Sequence, residues 1–249
     1  GALSACYVCS TRDLQFPSRL EHNMNFSLND YFMFSSHNTY LTGHQLRGAS
    51  SPEEYSRALR EGCRCVEIDC WDGTDGQPEV THGHTLTSKI KFKHVIEAIN
   101  QAAFATSPFP VVLSLEVHTS DAQQAIMAEI IKTTFQNRLA TGLMAESSKS
   151  DGQGYSPSAL RNLILIKAKR IHFKDGDEEG VNAKNQHGIC KALSDITFIE
   201  AVKFVNISQF TTLKHYCVCS VEETKVERWA GELRHGQRDV AVQKLESDL

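Results

Sequence analysis

The segment Arg64-Cys65-Val66-Glu67-Ile68-Asp69-Cys70 alternates with period two, a pattern that an extended strand splits into two faces. Val66, Ile68 and Cys70 lie on one face, and Glu67 and Asp69 lie side by side on the other. Two carboxylates one pleat apart repel each other unless positive charge sits between them. A hard divalent cation, which prefers oxygen ligands, supplies that charge. The plainer alternative pairs Glu67 and Asp69 with Arg64 or a lysine on a solvated face. The surroundings favour the cation. Tyr31-Phe32-Met33-Phe34 reads as a strand buried on both faces, with His37 and Asn38 just past its end. Asn38 adds a neutral carbonyl oxygen. His37, with His82 and His84 of a later His-Gly-His run, remains for proton transfer or charge stabilisation.

The rest of the chain alternates strand and helix patterns. Ser51 and Glu54 form a capping box with Pro52 at the first helical position, Tyr55, Ala58 and Leu59 give the apolar face, and Gly62 ends the helix. Asp72 to Gly76 is a turn cluster. Phe92, Val95, Ile96, Ile99 and Ala103 repeat at helical spacing over 92–104. Pro110 to Val117 is an inner strand whose Glu116 is costly to bury unless paired or metal-bound, so it reads as the third acidic ligand. His118 has no evident role. Ser120 and Gln123 form a second capping box, opening a helix through Ile126, Ile130 and Ile131 to about Phe135. Residues 145–158 read as a loop, and Leu163 to Ile166 as a buried strand leading into Lys167 and Lys169, which share one face. Tyr216 to Ser220 reads as a further strand, with Ser220 and Glu223 capping the helix after it.

Bulk properties narrow the class. At 249 residues and 41% hydrophobic, the chain can bury a sizeable core. A net charge of -4 argues against a nucleic-acid partner. Neither a signal peptide nor an apolar run long enough for a transmembrane segment is visible, which predicts a cytoplasmic chain. Its eight cysteines fit reduced thiols better than a disulfide framework. The chain opens on Gly1 rather than methionine, as expected of a piece of something longer.

The motifs SSHNTYLTG, GCRCVEIDCWDG and HGHTLTSKI, with FPVVLSLEVH further on, resemble the X region of eukaryotic phosphoinositide-specific phospholipase C, densely from Asp30 to Lys169. ALSDITF and VKFV resemble the opening of its Y region. The resemblance divides the chain into an EF-hand-like tail (1–30), the X region (31–169), an X/Y linker (170–190), a partial Y region (191–235) and a divergent tail (236–249). It implies an α/β fold, a (β/α) TIM-type barrel that is incomplete at about five of eight units, with the site at the C-terminal ends of the strands. The missing Y-region half becomes an expected partner.

The resemblance also implies chemistry. Calcium would be held by Asn38, Glu67, Asp69 and Glu116, and the 2-hydroxyl of the inositol ring would attack its own phosphodiester, releasing diacylglycerol. Glu67 or Glu116 would take the proton, His37 would stabilise the pentavalent phosphoryl, and His82, selected over His84 by the family position, would protonate the leaving oxygen. Lys167, Lys169 and Ser220 would contact ring phosphates, although helix capping accounts for Ser220 equally well. The substrate would be phosphatidylinositol 4,5-bisphosphate at the inner face of a membrane. Two other readings compete: an inert phospholipase C-like lipid-binding or scaffold protein, and another metal-dependent glycerophosphodiester phosphodiesterase. Intact histidines and acidic residues oppose the first, and the lysine pair and long motifs oppose the second.

Overall fold

The computed structural model describes residues 23–43, 47–83, 85–141, 155–171, 188–203 and 217–220, in two compact units, 1–198 and 199–249. In the first unit β1 (Ser35–Ser36), β2 (Cys65–Trp71), β5 (Val111–His118) and β6 (Ile164–Ala168) pair in parallel, in the order β1-β2-β5-β6. A short antiparallel excursion, β3 (Glu79–Val80) and β4 (Ile90–Lys91), extends from the end of β2. The helices α1 (Glu53–Arg60), α2 (Phe92–Ala102), α3 (Asp121–Phe135) and α4 (Lys191–Ile196) fill the crossovers. A strand missed in the sequence, β7 (Thr197–Lys203), follows α4, and in the second unit it pairs in parallel with β8 (Cys217–Ser220).

The two sheet faces differ as period two requires. Val66, Ile68 and Cys70 of β2, Val111, Leu113 and Leu115 of β5, and Ile164 and Ile166 of β6 pack on Tyr55, Leu59, Phe92, Ile96, Ile99, Met127, Ile131 and Phe135 of the helices. The opposite face is layered. Cys65, Val112 and Leu165 share one level through the strand register, Glu67, Ser114 and Lys167 the next, and Asp69 and Glu116 the one nearest the C-terminal ends. That face becomes polar as it rises toward the strand ends, the layering of a barrel interior beneath its site.

Several expectations fail locally. Tyr31 to Phe34 is not a buried strand: Phe32 is 98% exposed and Phe34 is 39% exposed. The Phe34 carbonyl accepts from the Arg64 and Cys65 amides, the Met33 carbonyl accepts from Ser35 Oγ, and β1 itself is Ser35–Ser36. An apolar run is buried only where another surface covers it, and among the described residues of this unit β1 is flanked by β2 alone. The first capping box does not form: the helix starts at Glu53, the Ser51 amide donates to the Tyr40 carbonyl, and Ser51 Oγ bonds the Glu53 carboxylate and accepts from the Glu53 amide at 3.2 Å. Glu54 is drawn instead to Arg57 one turn on, at 2.6 Å.

The second box does not form either. Ser120 donates from its amide and hydroxyl to Asp72, while Gln123 bonds both backbone groups of Gly73, so the turn after β2 docks on the start of α3. The buried stripe of α3 is Gln123, Gln124, Met127, Ala128, Ile131 and Phe135, with Ile126 and Ile130 only half-buried. Cys63 and Cys70 are buried thiols, and Cys65, Cys190, Cys217 and Cys219 are half-buried thiols.

Gln124 is fully buried for a reason its residue type hides. Its Nε2 donates to the carbonyls of Thr119 at 2.8 Å and Gly188 at 2.7 Å, and its Oε1 accepts from the Cys190 amide at 2.7 Å. The side chain thereby ties α3 to the segment entering α4. Gln124→Leu keeps the volume but strands those buried backbone groups. Urea unfolding should show a loss of about 3 kcal/mol, against under about 1 kcal/mol for an exposed control such as Gln101→Leu.

Candidate active site

The strand register brings the acidic residues together. Asp69 and Glu116 are Cα partners on β2 and β5, and Glu67 lies one level below Asp69. Oxygens of Glu67, Asp69 and Glu116 all lie within 4.8 Å of one another. Arg64 does not pair with these carboxylates; its guanidinium bonds the backbone carbonyls of Leu59, Cys63 and Ala103 instead. Burial does not recruit Glu116, as the sequence suggested it would: its side chain is 62% exposed. Register alone places it beside Asp69.

Asn38 enters from the turn after β1. Its backbone has φ +47°, a left-handed conformation that asparagine tolerates better than most residues. The turn aims its amide N–H at Glu67 Oε2, 2.8 Å away. The side chain is 2% exposed, and the Tyr40 hydroxyl lies 3.2 Å from its Oδ1 and bonds Asp69 Oδ2. His37 Nε2 stands 3.6 Å from Glu67 Oε2.

Electrostatics mark Asp69 as the strained member. Its carboxyl is pushed up to about 7, chiefly by burial, with Glu67 and Glu116 adding to the rise and the Tyr40 hydroxyl opposing it. Its Oδ1 is buried without a hydrogen-bond partner, as is Asn38 Nδ2. A buried, unpaired carboxylate oxygen beside two further carboxylates fits a calcium ion, which takes oxygen ligands and would reverse the local repulsion. The donor set and the orphaned oxygen therefore suit the ion implied by the sequence.

His82 lies in the turn beyond β3, with its amide 3.4 Å from Thr87 Oγ1; His84 falls outside the described residues. Gly83, at φ +49°, lies against Trp71, so a Cβ there would stand 3.1 Å from the indole. Trp71 in turn stacks on His118 at 4.3 Å, and His118 Nε2 is 3.8 Å from Glu116 Oε2. His118, which the sequence left without a role, is thus packed between Trp71 and Glu116. Parity places His118 on the same face of β5 as Glu116, two residues earlier, and register makes it the partner of Trp71; the Tyr40 bond joins separate elements and has no such signal.

Lys167, the register partner of Ser114, donates to its Oγ at 3.1 Å, one level below Asp69 and Glu116. Lys169 is exposed just past the end of β6. Ser220 ends β8 in the second unit; its side chain and the helix expected after it lie outside the described residues, as do Cys6, Cys9 and most of the expected X/Y linker.

Residues 24–170 match the family model described as phosphatidylinositol-specific phospholipase C, X domain. The chain belongs to this family. It is 50% identical over 152 residues to the epsilon-1 1-phosphatidylinositol 4,5-bisphosphate phosphodiesterase of Caenorhabditis elegans, covering 61% of this chain and 8% of that protein. It is 50% identical over 166 residues to the gamma-2 form of Homo sapiens, covering 66% of this chain and 13% of that one. Among solved structures, the S. officinalis PLC21 crystal structure superposes with a TM-score of 0.70 at 37% identity, covering 82% of this chain and 28% of PLC21. This chain therefore spans a minor part of the length of each of these phospholipase C relatives. Its fold is theirs, a TIM-type barrel represented here in part. Among the described residues, no helix is long and apolar enough to cross a membrane.

Proposed function

We propose that this chain carries the metal-binding part of a calcium-dependent phosphoinositide phospholipase C, which cleaves phosphatidylinositol 4,5-bisphosphate to diacylglycerol and inositol trisphosphate. The observation that carries the reading is the convergence of Glu67, Asp69 and Glu116 within 4.8 Å at the upper level of a parallel sheet. The phosphatidylinositol 4,5-bisphosphate phosphodiesterase relatives supply the substrate class.

Asn38, Glu67, Asp69 and Glu116 would hold the ion. Calcium bound there would lower the pKa of the attacking 2-hydroxyl and offset negative charge on the phosphoryl oxygens. Glu67 or Glu116 accepts the hydroxyl proton, and both are accessible enough to do so. His37, 55% exposed and beside Glu67, donates a hydrogen bond to the phosphoryl group as negative charge develops on it. His82 delivers a proton to the departing glycerol oxygen. Lys167 and Lys169 bind ring phosphates as compact positive donors, a role that family likeness extends to Ser220. The division at residues 30, 169, 190 and 235 belongs to the same reading, as does action at a membrane surface with the remaining Y-region half in place.

Product analysis tests this. The chain, supplied with a separately expressed Y-region half and vesicles containing phosphatidylinositol 4,5-bisphosphate, should release diacylglycerol and inositol trisphosphate. Release of glycerol 3-phosphate from glycerophosphoinositol instead would identify a glycerophosphodiesterase. Lipid binding without turnover would identify an inert scaffold.

A further inference from the structure

The Tyr40 hydroxyl bonds two of the four proposed ligands, Asn38 and Asp69. A hydroxyl carries a single proton. Asp69 as a carboxylate, the form that holds a cation, can only accept, so that proton goes to Asp69 Oδ2. Whatever Asn38 atom faces Tyr40 must then be a donor. The two ends of an amide have the same shape, so hydrogen bonding decides which way it lies. With Oδ1 toward Tyr40 at 3.2 Å, Asn38 Nδ2 is buried with no partner. Turning the amide over lets Nδ2 donate to Tyr40 Oη and removes that cost.

We propose that Tyr40 is a positioning residue: its hydroxyl holds the Asn38 amide with Nδ2 toward the tyrosine, leaving Oδ1 free as an oxygen ligand. The relay runs Asn38 Nδ2–H to Tyr40 Oη, then Tyr40 Oη–H to Asp69 Oδ2. Each polar hydrogen is used once. What remains unpaired is Oδ1 of Asn38 and Oδ1 of Asp69, two buried oxygens of the kind a hard cation takes. Tyr40 itself is fully buried, so its ring cannot swing away from this task. The proposal rests on the metal assignment made above.

Tyr55 provides a matched control. It is equally buried, but its hydroxyl donates at 2.9 Å to the backbone carbonyl of Glu67 rather than to a ligand side chain. Calcium titration by calorimetry on the full chain should show Tyr40→Phe binding about tenfold more weakly, near 1.4 kcal/mol. Tyr55→Phe should lower the melting temperature in chelator by at least as much, yet change calcium affinity by no more than about twofold. In an Asn38→Asp background, which offers oxygen whichever way the side chain lies, the Tyr40→Phe penalty should shrink to about threefold or less. A measurement without substitution stands beside these: in the calcium-loaded chain, the Asn38 Nδ2 protons should show nuclear Overhauser contacts to the Tyr40 ring. Unchanged affinity in Tyr40→Phe, an equal loss in Tyr55→Phe, an undiminished penalty in the Asn38→Asp background, or absent contacts would each overturn the proposal. If the parent chain binds no calcium, the metal assignment falls first, and the Tyr40 proposal falls with it.

Discussion

Asp69→Asn is expected to remove calcium binding while leaving the calcium-free chain at least as stable as the parent. Asp69 is 3% exposed, lies beside two other carboxylates, and has one oxygen without any hydrogen-bond partner. A ligand that contributes both a charge and a bond to the ion should cost roughly 4 kcal/mol, or about a thousandfold in affinity. Without the ion the same charge is a liability. Burial and its neighbours push the Asp69 carboxyl up to about 7, above its ordinary value of 3.8. A raised carboxyl favours folding fully below its ordinary value, and that contribution is lost as pH rises through the folded value. The neutral asparagine should therefore gain on the parent as pH rises from about 4 through 7, and the two should converge in acid. Calorimetric titration with calcium, and thermal unfolding in chelator across that pH range, check both halves. An Asp69→Asn chain that still binds calcium, or is markedly less stable in chelator at pH 8, contradicts this account of the residue.

His37→Gln has the second large effect and should separate chemistry from metal binding. The side chain is 55% exposed and approaches the cluster only through its 3.6 Å contact with Glu67. Losing a donor aimed at developing phosphoryl charge should cost roughly 10²–10³ in turnover. Calcium affinity and melting temperature should hardly move, because the residue is neither a proposed ligand nor part of the core. The assay is release of inositol phosphate by the chain supplied with a Y-region half, paired with calcium titration of the same variant. A parallel fall in turnover and calcium affinity would mean that His37 acts through the ligands instead.

How far the sequence reaches can be read from these residues. The parity of Arg64 to Cys70 placed Glu67 and Asp69 on one face and Val66, Ile68 and Cys70 on the other, because side-chain alternation is a local property of any strand. Family likeness and parity both singled out Glu116, but the stated cause was wrong. It is exposed, and register, a relation between two strands, puts it beside Asp69. The same limit explains Tyr40, whose bond crosses between elements that no periodicity connects, whereas His118 shares the face of Glu116 by parity and meets Trp71 through register. Gln123 reads in the sequence only as a capping residue and Gln124 carries no signal, yet both are buried because they complete backbone hydrogen bonds at Gly73, Thr119, Gly188 and Cys190. Tyr31 to Phe34 errs in the opposite sense. Four apolar side chains in a row suggested a core strand, but burial depends on what lies opposite.

The measurement that bears most directly on the central claim is the calcium dependence of phosphoinositide hydrolysis. The chain, supplied with the Y-region half, is mixed with vesicles containing phosphatidylinositol 4,5-bisphosphate, and water-soluble inositol phosphate is followed as free calcium is raised from chelated levels. The account predicts no release in chelator, saturable release with calcium, and loss of that release in Asp69→Asn. Hydrolysis that proceeds equally in chelator, or a complete absence of hydrolysis once calcium is shown to be bound, would contradict it.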